Sequence, residues 1–127
     1  MPLHGNDLSF MMDIADCAMD IVEFTSGIGF DEFEKDRARK LAVERQLGMM
    51  GLAANKINRK TRGNLENIPW VNIMGLKGKL AHGDGEILAE RIWTTSRISV
   101  QKLLKDLQGI EEVKEYMDAR PRMAFNK

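Results

Sequence analysis

The sequence has one cysteine, two histidines and three prolines among its 127 residues. The single cysteine, Cys17, excludes an internal disulfide and indicates a reducing compartment. The first residues lack the basic and apolar regions of a signal peptide, and no apolar run is long enough to span a membrane. These features predict a cytoplasmic protein, and with so few thiols and imidazoles a clustered zinc site is not expected.

The chain also has no net charge, because 19 Lys and Arg residues balance 19 Asp and Glu residues. A general affinity for nucleic acids needs a strongly basic surface, so only a local basic cleft remains possible. A hydrophobic content of 43% is sufficient for a core. The length fits one domain over residues 1–127, with a frayed tail from about residue 119.

Apolar residues recur at steps of three and four, which is typical of amphipathic helices. The pattern predicts a first helix from Asp7 to about Thr25, with Asp7 as its N-cap. It then predicts a short helix capped by Asp31, which continues into a long one that ends near Lys60. After a polar loop at residues 61–67, further helices are predicted from Pro69 to about Ala81 and from Glu86 to Gln108. No segment shows sustained alternation, so the predicted fold is an all-α, up-and-down bundle of four or five helices.

Four acidic residues share one face of the first predicted helix: Asp13, Asp16, Asp20 and Glu23. They allow a metal site or a solvated acidic face. Metal sites in helical bundles typically add Glu-x-x-His pairs, which the sequence lacks, so the solvated face is favoured and no metal is expected.

Other residues indicate packing. Gly48 and Gly51 interrupt a helix at a cost of about 1 kcal/mol each, which close helix packing would explain. Trp70 and Trp93 are expected to anchor the core rather than stack on bases. Cys17 lies in mid-helix, where burial would make it a poor nucleophile.

The second long helix ends in basic residues, among them Lys56 and Arg59. Cations at a helix C-terminus interact favourably with the helix dipole. The alternative is a patch that contacts phosphates.

The stretch from Ile68 to Asp84 holds the strongest candidates for chemistry: Lys77, Lys79, His82 and Asp84. An imidazole can accept or donate a proton near neutral pH, and a nearby cation can stabilise the charge of a pentacoordinate phosphate. This pairing suits metal-free RNA cleavage, in which the 2′-hydroxyl attacks the adjacent phosphorus. The alternative is a histidine that only caps the carbonyl groups at a helix end.

From about Asp7 to Leu107 the sequence resembles the HepT family of HEPN-domain proteins, the toxins of HepT/MntA-type toxin–antitoxin pairs. The order of the motifs carries the resemblance: Ile68-Pro69-Trp70, Ile73-Met74-Gly75-Leu76, His82-Gly83, and Ile92-Trp93. Earlier segments add to it: Phe30-Asp31-Glu32-Phe33, Glu44-Arg45-Gln46-Leu47, and Met50-Gly51-Leu52-Ala53.

The resemblance implies an all-helical homodimer with an Arg-x4-His-x-Tyr motif in the cleft between protomers. It implies metal-independent endoribonuclease activity without a cofactor, and a small MntA-like nucleotidyltransferase as antitoxin, which in some pairs adenylylates the motif tyrosine. His82 matches the motif histidine and would be the general acid or base. Lys77 would stabilise the phosphate, while Lys79, Lys56 and Arg59 would contact RNA.

The sequence departs from the family at three positions. Lys77 replaces the motif arginine and keeps its charge without the bidentate fork. Asp84 replaces the tyrosine that accepts AMP, and it could instead orient His82 or pair with Lys77. Leu52 replaces a glutamate. These changes keep open a second hypothesis, a catalytically inactive paralogue that serves as a helical binding partner of a nucleotidyltransferase or another protein.

Overall fold

The computed structural model describes residues 5–76, 78 and 85–120, with the backbone alone for residues 85–87. All regular elements in these ranges are helical, which confirms the all-α prediction. In chain order they are α1 (Asp7–Thr25), α2 (Phe30–Lys35), α3 (Arg37–Lys56), α4 (Arg59–Asn64), α5 (Trp70–Met74), α6 (Gly85–Thr94), a π-helical turn (Thr95–Ser99), α7 (Val100–Leu107) and α8 (Glu111–Ala119). None of the described helices combines the length and apolar character needed to cross a bilayer.

The two longest helices, α1 and α3, form the centre of the fold and run antiparallel. Asp20 near the end of α1 contacts Gln46 of α3, whereas Asp7 at the start of α1 contacts Asn58 just beyond α3. Side chains from both helices fill the core between them, and the fully buried ones include Met11, Ile14, Ile21, Val43 and Leu47. The 3.6-residue spacing that predicts these helices therefore also identifies their buried faces.

The predicted N-caps are wrong. Asn6 precedes α1, and Asp7 is its first helical residue. The buried Asp7 carboxylate instead accepts hydrogen bonds from the Asn58 backbone N–H at 3.0 Å and the Thr61 hydroxyl at 2.6 Å. Gly29, not Asp31, precedes α2. Asp7 therefore joins the start of α1 to the start of α4, a contact across more than fifty residues that a local capping rule does not predict.

The segment after α3 was also predicted wrongly. α3 ends at Lys56 rather than near Lys60, because Ile57 adopts an extended conformation and its side chain is buried. The predicted polar loop at residues 61–67 is in part the short helix α4, whose first backbone N–H groups are capped by Asn58.

The first part of the central stretch is helical, as the sequence predicts, and the rest of the predicted helix lies largely outside the described residues. Pro69 is the N-cap of α5, which ends at Met74, and Gly75 follows as its C-cap. The Trp70 side chain is buried, and its indole N–H donates to the Leu65 carbonyl at 3.0 Å. The packing role predicted for Trp70 is therefore confirmed.

The predicted helix from Glu86 to Gln108 is continuous, since α6, the π-helical turn and α7 follow one another without a break. Within the π-helical turn, the buried Ser96 hydroxyl donates to the Ile92 carbonyl at 2.7 Å. Trp93 packs against Phe33, with ring centroids 5.2 Å apart. Trp93 is thus a packing residue, as the sequence predicts.

The sequence analysis missed α8, which lies against the acidic face of α1. Asp16 accepts a hydrogen bond from the Tyr116 hydroxyl at 2.7 Å, and Asp20 forms an ion pair with Arg120. Gln46 also donates to Asp20, at 2.7 Å. The acidic face is therefore a docking surface for the end of the chain as well as a charged surface, and Arg120, in the tail predicted to be frayed, is held there.

Candidate functional site

The four residues of the predicted catalytic constellation, Lys77, Lys79, His82 and Asp84, lie outside the described residues. The structure does describe the residues on both sides of them. The segment before them ends with α5, and the segment after them begins with α6. The positions of these two helices define the surroundings of the candidate site.

α5 rests on the middle of α3 at an unusually close distance. A Cβ atom on Gly51 would lie 2.9 Å from the Ile73 carbonyl oxygen, which is too short for any other residue without a backbone shift. The Asn55 side-chain amide donates to the Gly51 carbonyl at 2.9 Å and reaches the Met74 carbonyl at 3.5 Å. Close packing thus explains Gly51 as predicted, and it fixes the end of α5 against α3.

The described residues do not provide the same explanation for Gly48. A Cβ atom at Gly48 would meet none of the described residues within 4 Å, so no contact among them requires glycine there. Close helix packing therefore stays a prediction for Gly48.

α6 packs against the first half of α3. Leu88 and Ala89, within the first turns of α6, line a cavity of about 190 Å³ together with Leu41 and Glu44 of α3. The chain therefore leaves α3 at the level of Gly51 and returns to it near Leu41. Both flanks of the candidate catalytic segment are fixed on one helix.

The outward side of α3 carries apolar residues that the described part of the chain leaves partly exposed. Leu41, Met49 and Leu52 are 48%, 41% and 40% exposed. Arg45 and Gly48 lie on the same side at helical spacing. We call these five residues the outer ridge of α3. Large apolar side chains grouped on one exposed helix face are typical of a surface that binds another protein.

The two candidate RNA contacts that the structure describes lie near the α5 end of this face. Lys56 is exposed, and its ammonium group lies 5.7 Å from the centroid of the Phe10 ring, within the range of a cation–π contact. Its neighbour Asn55 contacts α5. Arg59 is exposed at the first position of α4. Both cations are accessible to a ligand.

The helix-dipole interpretation applies to Lys56, in the last turn of α3, and is supported by a direct contact for Arg62. Arg62 donates to the Ala54 carbonyl at 3.2 Å and so caps the end of α3. Arg62 therefore stabilises the end of α3, whereas Lys56 and Arg59 are exposed and could contact phosphates.

Two other candidate chemistries find no support. Burial, together with the negative charge of Asp20, raises the pKa of the Cys17 thiol to about 11, so a thiolate nucleophile is disfavoured at neutral pH. Asp16 and Asp20 bind Tyr116 and Arg120. Within the described ranges no group of three or more His, Cys, Asp or Glu residues is placed to hold a metal ion.

The sequence analysis did not single out Arg37 and Lys40, which line the same cavity as Leu88 and Glu44. A signal was available. Both cations lie in the first turns of α3, where the helix dipole is positive and basic residues are unfavourable. Their position costs stability within the helix, which points to a role outside it.

Comparison with known proteins gives a consistent result. Residues 14–116 match the profile of the family described as "Ribonuclease HepT-like". A candidate RNase of Methanocaldococcus jannaschii is 32% identical over 100 residues, covering 79% of this chain and 92% of the relative. Another from the same organism is 33% identical over 105 residues, covering 83% and 84%. A Thermococcus cleftensis protein named "Probable ribonuclease HepT" is 29% identical over 94 residues, covering 74% and 86%. No solved structure shows significant similarity.

Proposed function

Since the chain belongs to the HepT-like ribonuclease family, we propose that it is an endoribonuclease whose catalytic residues lie between α5 and α6. His82 acts as the general acid or base, and Lys77 stabilises the negative charge on the phosphate. Asp84 orients His82 or pairs with Lys77. Lys79, Lys56 and Arg59 contact the RNA backbone.

The reaction that fits these groups is attack of the 2′-hydroxyl on the adjacent phosphorus. A base removes the proton of the 2′-hydroxyl, the bond from phosphorus to the 5′-oxygen breaks, and an acid protonates the departing oxygen. An imidazole and an ammonium group supply these functions without a metal ion. The proposed activity therefore needs no cofactor and continues in EDTA.

The observation that most supports a shared site is the position of α5 and α6 against α3, beside its uncovered outer ridge. We infer that a second copy of the chain docks on this ridge. A two-fold dimer uses the same patch on both subunits, so each ridge would cover the other. The two catalytic segments, each fixed on its own α3, would then approach each other across the interface.

The family resemblance extends the proposal to a cellular role. We propose that the protein is a cytoplasmic toxin that an MntA-like nucleotidyltransferase neutralises. Asp84 cannot accept AMP as a motif tyrosine would, so neutralisation would proceed through binding or through another residue. Co-purification of the chain with a nucleotidyltransferase encoded by the neighbouring reading frame would test this part of the proposal.

Cleavage of single-stranded RNA in the presence of EDTA tests the activity. We expect the wild-type protein to cut, His82→Ala to lose activity, and Lys77→Arg to retain or increase it because arginine grips a phosphate in a bidentate manner. Lys102→Ala, on α7, is the control for a lost surface charge. Equal cleavage by the wild type and His82→Ala would contradict the assignment.

Sedimentation or light scattering tests the dimer. Leu52→Asp places a charge on the outer ridge and is expected to give a monomer. Ile98→Asp is the matched control, because Ile98 is 65% exposed and lies on the π-helical turn, outside the ridge. A monomeric wild-type protein, or a dimer that both substitutions leave intact, would exclude the ridge as the interface.

The alternative is a non-cleaving member of the family that binds a nucleotidyltransferase or another protein. Lys77 and Asp84, in place of the family arginine and tyrosine, favour it. This alternative predicts no RNA cleavage by either the wild type or the Lys77→Arg/Asp84→Tyr variant, together with a stable complex with the partner. Activity of the wild type alone would remove it.

A further inference from the structure

The cavity between α3 and α6 combines an apolar floor with charged walls. Ala89 and Ile92 are each 2% exposed and form its base. Leu41 and Leu88 line its sides, and Leu41 is 48% exposed despite its apolar character. The volume of about 190 Å³ is below the ~300–1,000 Å³ of pockets that enclose a whole ligand. It therefore suits one flat ring of a larger molecule.

The charged side chains of the cavity form no ion pairs with the residues that the structure describes. Three Lys residues in the described helices precede an acidic residue by four positions. Lys102 and Lys114 pair with Asp106 and Asp118 at 2.9 and 2.8 Å.

The third such pair, Lys40 and Glu44, does not close. Neither side chain has a hydrogen bond or an ion pair with any residue that the structure describes, and both residues line the cavity instead. Arg37, exposed at the first position of α3, has no acidic partner in these ranges either. Two cations and one carboxylate thus face the same cavity with their bonding capacity unused.

We propose that this cavity binds one nucleotide of the single-stranded RNA substrate. Arg37 and Lys40 bind the phosphate groups, Leu88 contacts the face of the base, and the Glu44 carboxylate accepts a hydrogen bond from an exocyclic amino group. Single-stranded RNA is read in this way, by contacts with base faces and edges together with backbone charge. The inference rests on the proposed ribonuclease function and adds a base preference to it.

The location agrees with this role. Leu88 lies three residues after Gly85, the first residue of α6, which places it about 4.5 Å along the helix axis. His82 and Asp84 immediately precede that helix in the chain. The cavity therefore includes a residue that follows the proposed catalytic residues closely in the chain. Uridine lacks an exocyclic amino group, so Glu44 would disfavour it at this position.

Binding of 2′-O-methyl oligonucleotides, which cannot be cleaved, tests the inference by fluorescence anisotropy over a range of salt concentrations. We expect Arg37→Gln/Lys40→Gln to weaken binding roughly tenfold for every sequence. Each phosphate contact with a single strand contributes about 0.7 to the slope of log affinity against log salt, so the slope should fall by about 1.4. Lys102→Gln/Lys105→Gln removes two exposed cations from α7 and should change neither quantity.

The base preference is tested separately with Glu44→Gln. We expect the wild type to bind uridine oligomers more weakly than cytidine oligomers, and the substitution to reduce that difference. Thermal unfolding confirms that each variant is folded. Equal effects of the two double variants, an unchanged preference in Glu44→Gln, or no RNA binding by the wild type would each overturn the subsite.

The two proposals fail in different ways. If the wild type binds RNA through Arg37 and Lys40 but does not cut it, the ribonuclease proposal fails and the nucleotide site remains. If it cuts RNA in a manner that depends on His82 while the cavity variants behave like the wild type, the nucleotide site fails and the ribonuclease proposal remains.

Discussion

The polar face of α1 and the outer ridge of α3 show opposite uses of a helix surface. On α1, Asp16 and Asp20 are bound by Tyr116, Arg120 and Gln46, so the acidic residues connect the end of the chain to the centre of the fold. On α3, the ridge residues extend outward, with apolar side chains 40% to 48% exposed. The acidic face of α1 makes contacts within the chain, whereas the outer ridge of α3 is partly exposed to solvent.

This difference separates structural charges from candidate functional ones. Among the described residues, Asp16 and Asp20, two of the four acids that looked like a metal site, have Arg, Tyr and Gln partners and need no ligand to balance them. Arg37, Lys40 and Glu44 on α3 have no such partners and line a cavity. A charged residue that destabilises its own helix and has no ion-pair partner is a better candidate for ligand binding than one that is paired.

The largest expected effect on stability comes from removing contacts on the acidic face of α1. Asp20→Ala removes the contacts with Arg120 and Gln46. Both residues then lose a charge-assisted hydrogen bond in a largely buried setting. We expect the free energy of unfolding to fall by about 2 kcal/mol, measured by urea denaturation.

Glu44→Ala on α3 is the matched control, and it should change stability by less than about 0.5 kcal/mol, as is usual for a surface substitution. If the two substitutions cost the same, the contrast between the faces has no energetic basis.

The second prediction concerns the contact that fixes the candidate site. Gly51→Ala would place a methyl group 2.9 Å from the Ile73 carbonyl oxygen, so α5 must move. We expect a loss of about 1–2 kcal/mol in urea denaturation, because the strain of overpacking exceeds the gain in helix propensity.

Gly63→Ala in α4 is the control, since nothing lies within 4 Å of a Cβ atom at that position. Increased stability in both variants would mean that α5 does not depend on a close approach to α3.

The sequence predicts the helices that bury a periodic apolar face, and it predicts the packing roles of Trp70, Trp93 and Cys17. It fails where an element depends on distant partners. α8 was missed because Tyr116 and Arg120 are held by residues about a hundred positions earlier in the chain. The cap assigned to Asp7 was wrong for the same reason, since its carboxylate serves α4 rather than α1.

The candidate site shows the same limit. Type and spacing of residues indicate the chemistry of Lys77 and His82, and those assignments stay predictions because the residues lie outside the described ranges. The cavity residues could not be found from spacing, because Arg37 and Leu88 belong to helices far apart in the chain. Only the fold brings them together.

The third prediction, with a smaller expected effect, concerns how the contribution of Tyr116 to stability depends on pH. The hydrogen bond from its hydroxyl group to Asp16 raises the pKa of Tyr116 above the ordinary value of about 10. Because the pKa is raised in the folded state, the stabilisation is present below pH 10 and is lost as pH rises through the folded-state value. Tyr116 is the one tyrosine of the chain, so an absorbance titration reports it directly.

In Asp16→Asn the midpoint of this titration should return toward about 10. Tyr116→Phe should cost about 1 kcal/mol, the contribution of one partly exposed hydrogen bond to a charged group. A titration that Asp16→Asn leaves unchanged would show that α8 is not held by this contact.

The smallest change tests the open face itself. None of the described residues lies within 4 Å of a Cβ atom at Gly48, so Gly48→Ala should raise the stability of the monomer by about 0.5–1 kcal/mol through helix propensity alone. The docking of a second α3 on the ridge predicts a different result for the dimer, because a methyl group would then separate the two helices. Urea denaturation of a Leu52→Asp background measures the first effect, and the dimer dissociation constant in the wild-type background measures the second. A more stable monomer together with a weaker dimer would show that this glycine is retained for the partner, whereas a gain in both would leave the ridge without a role in association.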